Sequence, residues 1–203
     1  MSFADWLAAE GAHNDLVSWV RASGGDVGAV WDACPRGDWL LAMAARLGAE
    51  PRALVLAASA AARTAFELLP DEESRPAAAL VALEAAVRAA DATNTDAGGP
   101  EPEGRASEEL QAHRAAVEAM AASAPDPTVN VIAEAVLAAI TSLEEPGAAA
   151  GAAALAAQAS VFDAGDCAMM AALGYAQEMS AKAVRGHLEA TWAVSALERI
   201  QGE

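Results

Sequence analysis

RALVLAASAAARTAFELL, residues 52–69, decides the fold of this chain. Wound as a helix, it carries apolar side chains round its whole circumference, interrupted by charge only at Arg52, Arg63 and Glu67. A helix without a continuous polar stripe belongs inside a core. Pro51 suits its first turn and Pro70 ends it. A buried guanidinium needs a partner, so Arg63 is expected to pair with Asp38 or with carbonyls at an adjacent helix end.

Working outward, DEESRP at 71–76 reads as a turn, with Ser74 as cap and Pro76 in the first turn of the helix AAALVALEAAVRAA. Upstream, DACPRGDWLLAMAARLG at 32–48 opens with Cys34 and Pro35. It places Asp38 as the N-cap of a helix that Gly48 stops. Ser2 caps a first helix, with Asp5 in the capping-box position. Asn14 or Asp15 opens a second, which SGG at 23–25 stops, and a short segment covers Val27–Trp31. DATNTDAGGPEPEG at 91–104 carries the Gly, Pro and acidic residues of a linker, and Ser107 restarts helix. Asp126 and Pro127 start the next helix, an Ala/Gly-rich helix follows Pro146, and a tail from Cys167 to about Gln201 bends at Gly186.

No stretch alternates β-branched and polar residues as a half-buried strand does. The expected fold is therefore all-α: nine or ten helical segments stacked as antiparallel hairpins. The expected organisation is an N-terminal half over 1–90, an acidic linker over 91–106, and a C-terminal alanine-rich half over 107–203 that packs on the first.

The 203 residues include 29 acidic and 12 basic side chains, a formal charge of −17. Such a surface repels nucleic acid and anionic membranes and attracts basic proteins. Cys34 and Cys167 lie in no metal-binding or redox spacing, which fits reduced thiols in a cytoplasm. MSFADWLAAEGAH lacks the basic n-region of a signal peptide, and PGAAAGAAALAAQASVF is too weakly apolar to span a bilayer.

Few residues in the sequence point to chemistry. His13, His113 and His187 stand apart in sequence, so no metal or catalytic set is expected. GGDVG at 24–28 lacks the lysine and spacing of a phosphate loop. Cys34 precedes a helix start, where a dipole can activate a thiol, yet it fits better as a small buried apolar residue at the turn. The expected protein is not an enzyme and takes no cofactor.

Residues 33–89 resemble the N-terminal half of the bacterial Imm-5-like immunity-protein family. The resemblance rests on a C-P-R-x-D-W-L-L turn (Cys34, Pro35, Arg36, Asp38, Trp39, Leu40, Leu41) and an A-A-x-x-x-A-R helix (Ala57, Ala58, Ala62, Arg63). An acidic turn ending in Arg75 and Pro76 completes it. It implies a stoichiometric inhibitor of a cognate toxin, with the motif residues defining the fold. Partner contacts are then expected from Asp71, Glu72 and Glu73 and from Glu144 and Glu145. A helical scaffold or subunit of a larger homo- or hetero-assembly is the alternative.

Overall fold

The structure, a computed structural model, describes residues 1–93, 101–164 and 168–202, with the backbone alone for 91–93 and 101–105. Among these residues there are eleven α-helices, one 3-10 turn and no strand. The helices are α1 Phe3–Ala9, α2 Asn14–Ala22, α3 Val27–Ala33, α4 Gly37–Arg46, α5 Pro51–Arg63 and α6 Arg75–Thr93. They continue as α7 Glu101–Ser123, α8 Pro127–Thr141, α9 Ala148–Asp163, α10 Met169–Arg185 and α11 Ala190–Gly202.

Helix starts follow the side chains available at each turn. The Ser2 hydroxyl oxygen accepts the Asp5 N–H at 3.2 Å, and the hydroxyl donates to the Asp5 carboxylate at 2.6 Å. Asp126 accepts from the Thr128 N–H at 2.8 Å, with Pro127 next in line. Asp26 does the same for α3, accepting from Ala29 at 2.9 Å. The second helix starts differently from expectation. His13 is its cap, with Nδ1 accepting the Asp15 N–H, so Asn14 and Asp15 lie inside the first turn.

The centre of the bundle is held by two helices. α5 buries Leu54, Val55, Ala57, Ala58, Ala61 and Ala62, as its uninterrupted apolar circumference requires. It packs against α4, α6, α8, α9 and α10. The alanine-rich α9 is equally central and touches α4, α5, α8 and α10. With Ala149, Ala152, Ala153, Ala156 and Ala159 all buried, its neighbours can approach at the short end of the usual ~8–10 Å spacing. One hydrophobic cluster includes Leu7, Trp31 and Leu54 together with Ile132, Val184 and Leu197, so both halves of the chain contribute to the same core.

Several boundaries differ from those the sequence suggests. α5 ends at Arg63, and the chain turns through the 3-10 segment Phe66–Leu68. There the Thr64 hydroxyl donates to the Ala61 carbonyl at 2.7 Å, a local bond that competes with helix continuation. The segment 91–106 is not a continuous linker: 91–93 complete α6 and 101–106 belong to α7, so Ser107 lies within a helix. The remainder of that linker, 94–100, and Cys167 lie outside the described residues. The expected tail helix is two, because residues 186–189 leave the helix and bury Leu188. This split accounts for eleven helices where nine or ten are expected.

Asp38 is not the N-cap of α4. That helix begins at Gly37 with Arg36 in the cap position, and Asp38 sits in the first turn. The cause is local: the Arg36 guanidinium, two residues away, draws the Asp38 carboxylate to itself at 3.1 and 2.6 Å, and Arg36 in the cap position makes no side-chain cap bond. Arg63 pairs neither with Asp38 nor with a helix end. It bonds Glu84 on α6, the helix alongside α5, and the pair remains partly exposed to water.

Candidate partner-binding surface

The turn between α3 and α4 is built as a structural joint. Pro35 biases Cys34 to extended backbone, observed at φ −64° and ψ 117°, which ends α3. Cys34 is fully buried, its Sγ donating to the Arg36 carbonyl at 3.4 Å. Burial pushes its thiol up to about 11, so almost no thiolate exists near neutral pH. The Arg36 guanidinium lies 4.4 Å over the Trp39 ring, and Trp39 in turn packs against Trp19 with ring centroids 5.6 Å apart.

A long-range clamp closes the same joint. Arg185 at the end of α10 donates to the Cys34 carbonyl at 2.8 Å and reaches the Trp31 carbonyl at 3.5 Å, covering carbonyls at the C-terminal end of α3. The Trp31 indole donates to the Leu188 carbonyl at 2.8 Å inside the core. Arg46 plays a similar part for α1, donating to the carbonyls of Glu10 and Gly11. Nothing in local sequence identifies these partners, because 154 residues separate Trp31 from Arg185.

The expected acidic contacts divide into two kinds. Asp71, Glu72, Glu144 and Glu145 are exposed at the ends of helices and carry no ion pair among the described residues. Glu73 is engaged: its carboxylate forms an ion pair with Arg75 and also accepts the Arg75 backbone N–H at 3.1 Å, fastening the start of α6. The Arg75 side chain holds the Glu73 carboxyl below the usual carboxylate range. Glu73 is therefore a helix-start residue as much as a surface acid, and Pro76 behind it is buried.

Two open clefts carry mixed polar groups. One, of about 440 Å³, is lined by Glu50, His187, Glu189, Thr191, Trp192 and Arg199. Within it the Thr191 hydroxyl donates to Glu189 at 3.4 Å, and Arg199 Nε donates to the Ser195 carbonyl at 3.4 Å. The other, of about 360 Å³, lies over the α3–α4 joint between His13, Asp15, Arg36, Trp39 and the small residues Ala150 and Gly151 of α9. Away from the clefts, Phe162, Met169, Met170, Tyr175 and Met179 are exposed large apolar side chains at the end of α9 and along α10. No helix among the described residues is long and apolar enough to cross a membrane. No family model, no curated protein and no solved structure matches the chain.

Proposed function

We propose that this chain is a non-enzymatic protein-binding module that neutralises a basic partner by stoichiometric association, as the immunity proteins that residues 33–89 resemble would do. One observation carries the reading: among the described residues most of the bases are engaged within the chain, while several exposed acids carry no ion pair. Arg21, Arg36, Arg63, Arg75 and Arg114 pair with carboxylates. Arg46 and Arg185 bond helix-end carbonyls. Asp71, Glu72, Glu144 and Glu145 are exposed with no ion pair among the described residues, so part of the −17 stands as free surface carboxylate. Such a field speeds encounter with a basic protein and opposes approach to nucleic acid. A cytoplasmic setting suits the free, buried Cys34 thiol. The exposed apolar surface on α10 favours a second reading, a scaffold or subunit of an assembly.

Tagged purification from native cells at low salt, followed by a salt wash, tests the proposal. The expected result is one basic protein near one-to-one, released by salt, whose activity the purified chain inhibits. Replacing Asp71, Glu72, Glu144 and Glu145 by lysine should slow its association about tenfold or more at low ionic strength, with little change in strong salt. Recovery of self-assembled chains alone, or of a large salt-resistant complex, favours the scaffold and removes the inhibitor.

A further inference from the structure

We propose that the cleft at the break between α10 and α11 is a binding site for a small zwitterion with an apolar body, of which an aromatic α-amino acid is the simplest case. One wall is the start of α5, with Glu50 and Ala53. The other is α11, with Trp192 and Arg199, and the break itself contributes His187 and Glu189. The open cleft spans about 440 Å³, within the ~300–1,000 Å³ of small-ligand sites.

Both signs of charge line this space, and they do not neutralise each other. Among the described residues Glu50, Glu189 and Arg199 form no ion pair. Glu189 accepts the Thr191 hydroxyl at 3.4 Å, and Glu50, in the cap position of α5, makes no side-chain cap bond. Arg199 Nε donates to the Ser195 carbonyl, four residues back, which lays the side chain along α11 towards Trp192. Its two terminal nitrogens have no protein partner among the described residues. The cleft over the α3–α4 joint differs, because there Arg36 is paired with Asp38 and Arg46 bonds the carbonyls of Glu10 and Gly11.

Charge of one sign fits the cleft at the break poorly: a simple cation meets Arg199, and a simple anion meets Glu50 and Glu189. A molecule carrying both ammonium and carboxylate places each beside its complement. Trp192 supplies the apolar contact. Its ring centroid lies 5.8 Å from that of Trp31, edge-on at 64°. Trp31 is fully buried, with its indole bonded to the Leu188 carbonyl. Trp192 is thus held half-buried at the wall, ready for an aromatic side chain without rearrangement.

The indole N–H resonances of the five tryptophans read the site in the full chain. A Trp192→Phe variant identifies the reporter signal, and Trp19 and Trp39, packed on each other beside the other cleft, are controls. The probes are L-phenylalanine, phenylalaninamide without the carboxylate, N-acetylphenylalanine without the ammonium, and glycine without the apolar body. Phenylalanine should shift Trp192 and approach saturation by about 10 mM, and each of the other three should bind about tenfold or more weakly. Glu50→Gln and Arg199→Gln, both at exposed positions, should each weaken phenylalanine about fivefold or more at unchanged melting temperature.

Phenylalaninamide binding as well as phenylalanine would leave a cation site, and N-acetylphenylalanine doing so would leave an anion site; either result overturns the zwitterion. Equal binding of glycine removes the contact with Trp192 and with it the apolar body. Shifts at Trp19 and Trp39 in place of Trp192 would move the ligand to the other cleft, and a still Trp192 at about 10 mM phenylalanine overturns the site. None of these outcomes touches association with a basic protein, so this inference and the proposed function fail separately.

Discussion

Gly37 shows how a single absent methyl group sets a helix crossing. An added Cβ there would lie 1.9 Å from Ser180 Oγ, 2.8 Å from the Ser180 carbonyl carbon and 3.0 Å from the Ala181 nitrogen. The start of α4 therefore rests directly on α10, and no side-chain rotation alone relieves the contact. Gly37→Ala should destabilise the protein by about 1–3 kcal/mol, as overpacking of an ordered core does. Adding Ser180→Ala should restore only part, because the backbone contacts remain. Urea titration decides this, and an unchanged midpoint for Gly37→Ala would show that the two helices separate freely. Cys34 makes a complementary point at the same joint: its sequence position invites thiolate chemistry, and burial removes it.

At the scale of elements, helix starts are fixed by carboxylates whose ionisation is part of the fold. The Glu73 carboxylate accepts from the Arg75 side chain and from its backbone N–H, and Asp5 accepts from the Ser2 hydroxyl and from Arg21. Both carboxyls are held below their ordinary values of 4.5 and 3.8, chiefly by the Arg75 side-chain bond for Glu73 and by the Ser2 hydroxyl for Asp5. The unfolded chain thus binds protons before the folded one does. Their contribution is complete above the unfolded values and is lost as pH falls through the lowered folded ones. Stability should decline as pH drops from about 5 towards 3, and Glu73→Gln should flatten that slope. Melting curves of the variant and the parent at pH 6 and pH 3.5 measure it. A variant slope as steep as the parent's would assign the acid sensitivity to other carboxylates.

Across the whole molecule, an excess of carboxylate opposes its own compaction. With 29 acidic and 12 basic side chains, repulsion outweighs the partly exposed ion pairs, each of which contributes about 0–1 kcal/mol. Raising ionic strength from about 0.01 to 0.5 M shortens the screening length from about 30 Å to under 5 Å, so the melting temperature should rise by several degrees. A fall with salt would instead show that pairs such as Arg36–Asp38 dominate over the net charge. A basic partner of the kind proposed would relieve this repulsion as it binds.

Sequence by itself determined the helical class, most helix starts and the central place of α5. Alanine propensity, capping residues, proline positions and an apolar circumference act within a few residues of where they stand. The exposure of Asp71, Glu72, Glu144 and Glu145 was equally legible, since they flank turns where solvent is expected. Tertiary structure alone decided which partners those elements met. Arg63 turned to Glu84 because α6 lies beside α5. The tail broke at 186–189, where Leu188 enters the core and its carbonyl receives the Trp31 indole from the other end of the chain. The exposed side of α10 belongs to the same class: its first turns read as any apolar helix does, and only the packing of its other side against α4, α5 and α9 left Tyr175 and Met179 exposed. Burial is a property of neighbours brought together by the fold, whereas propensity and capping are properties of the local chain.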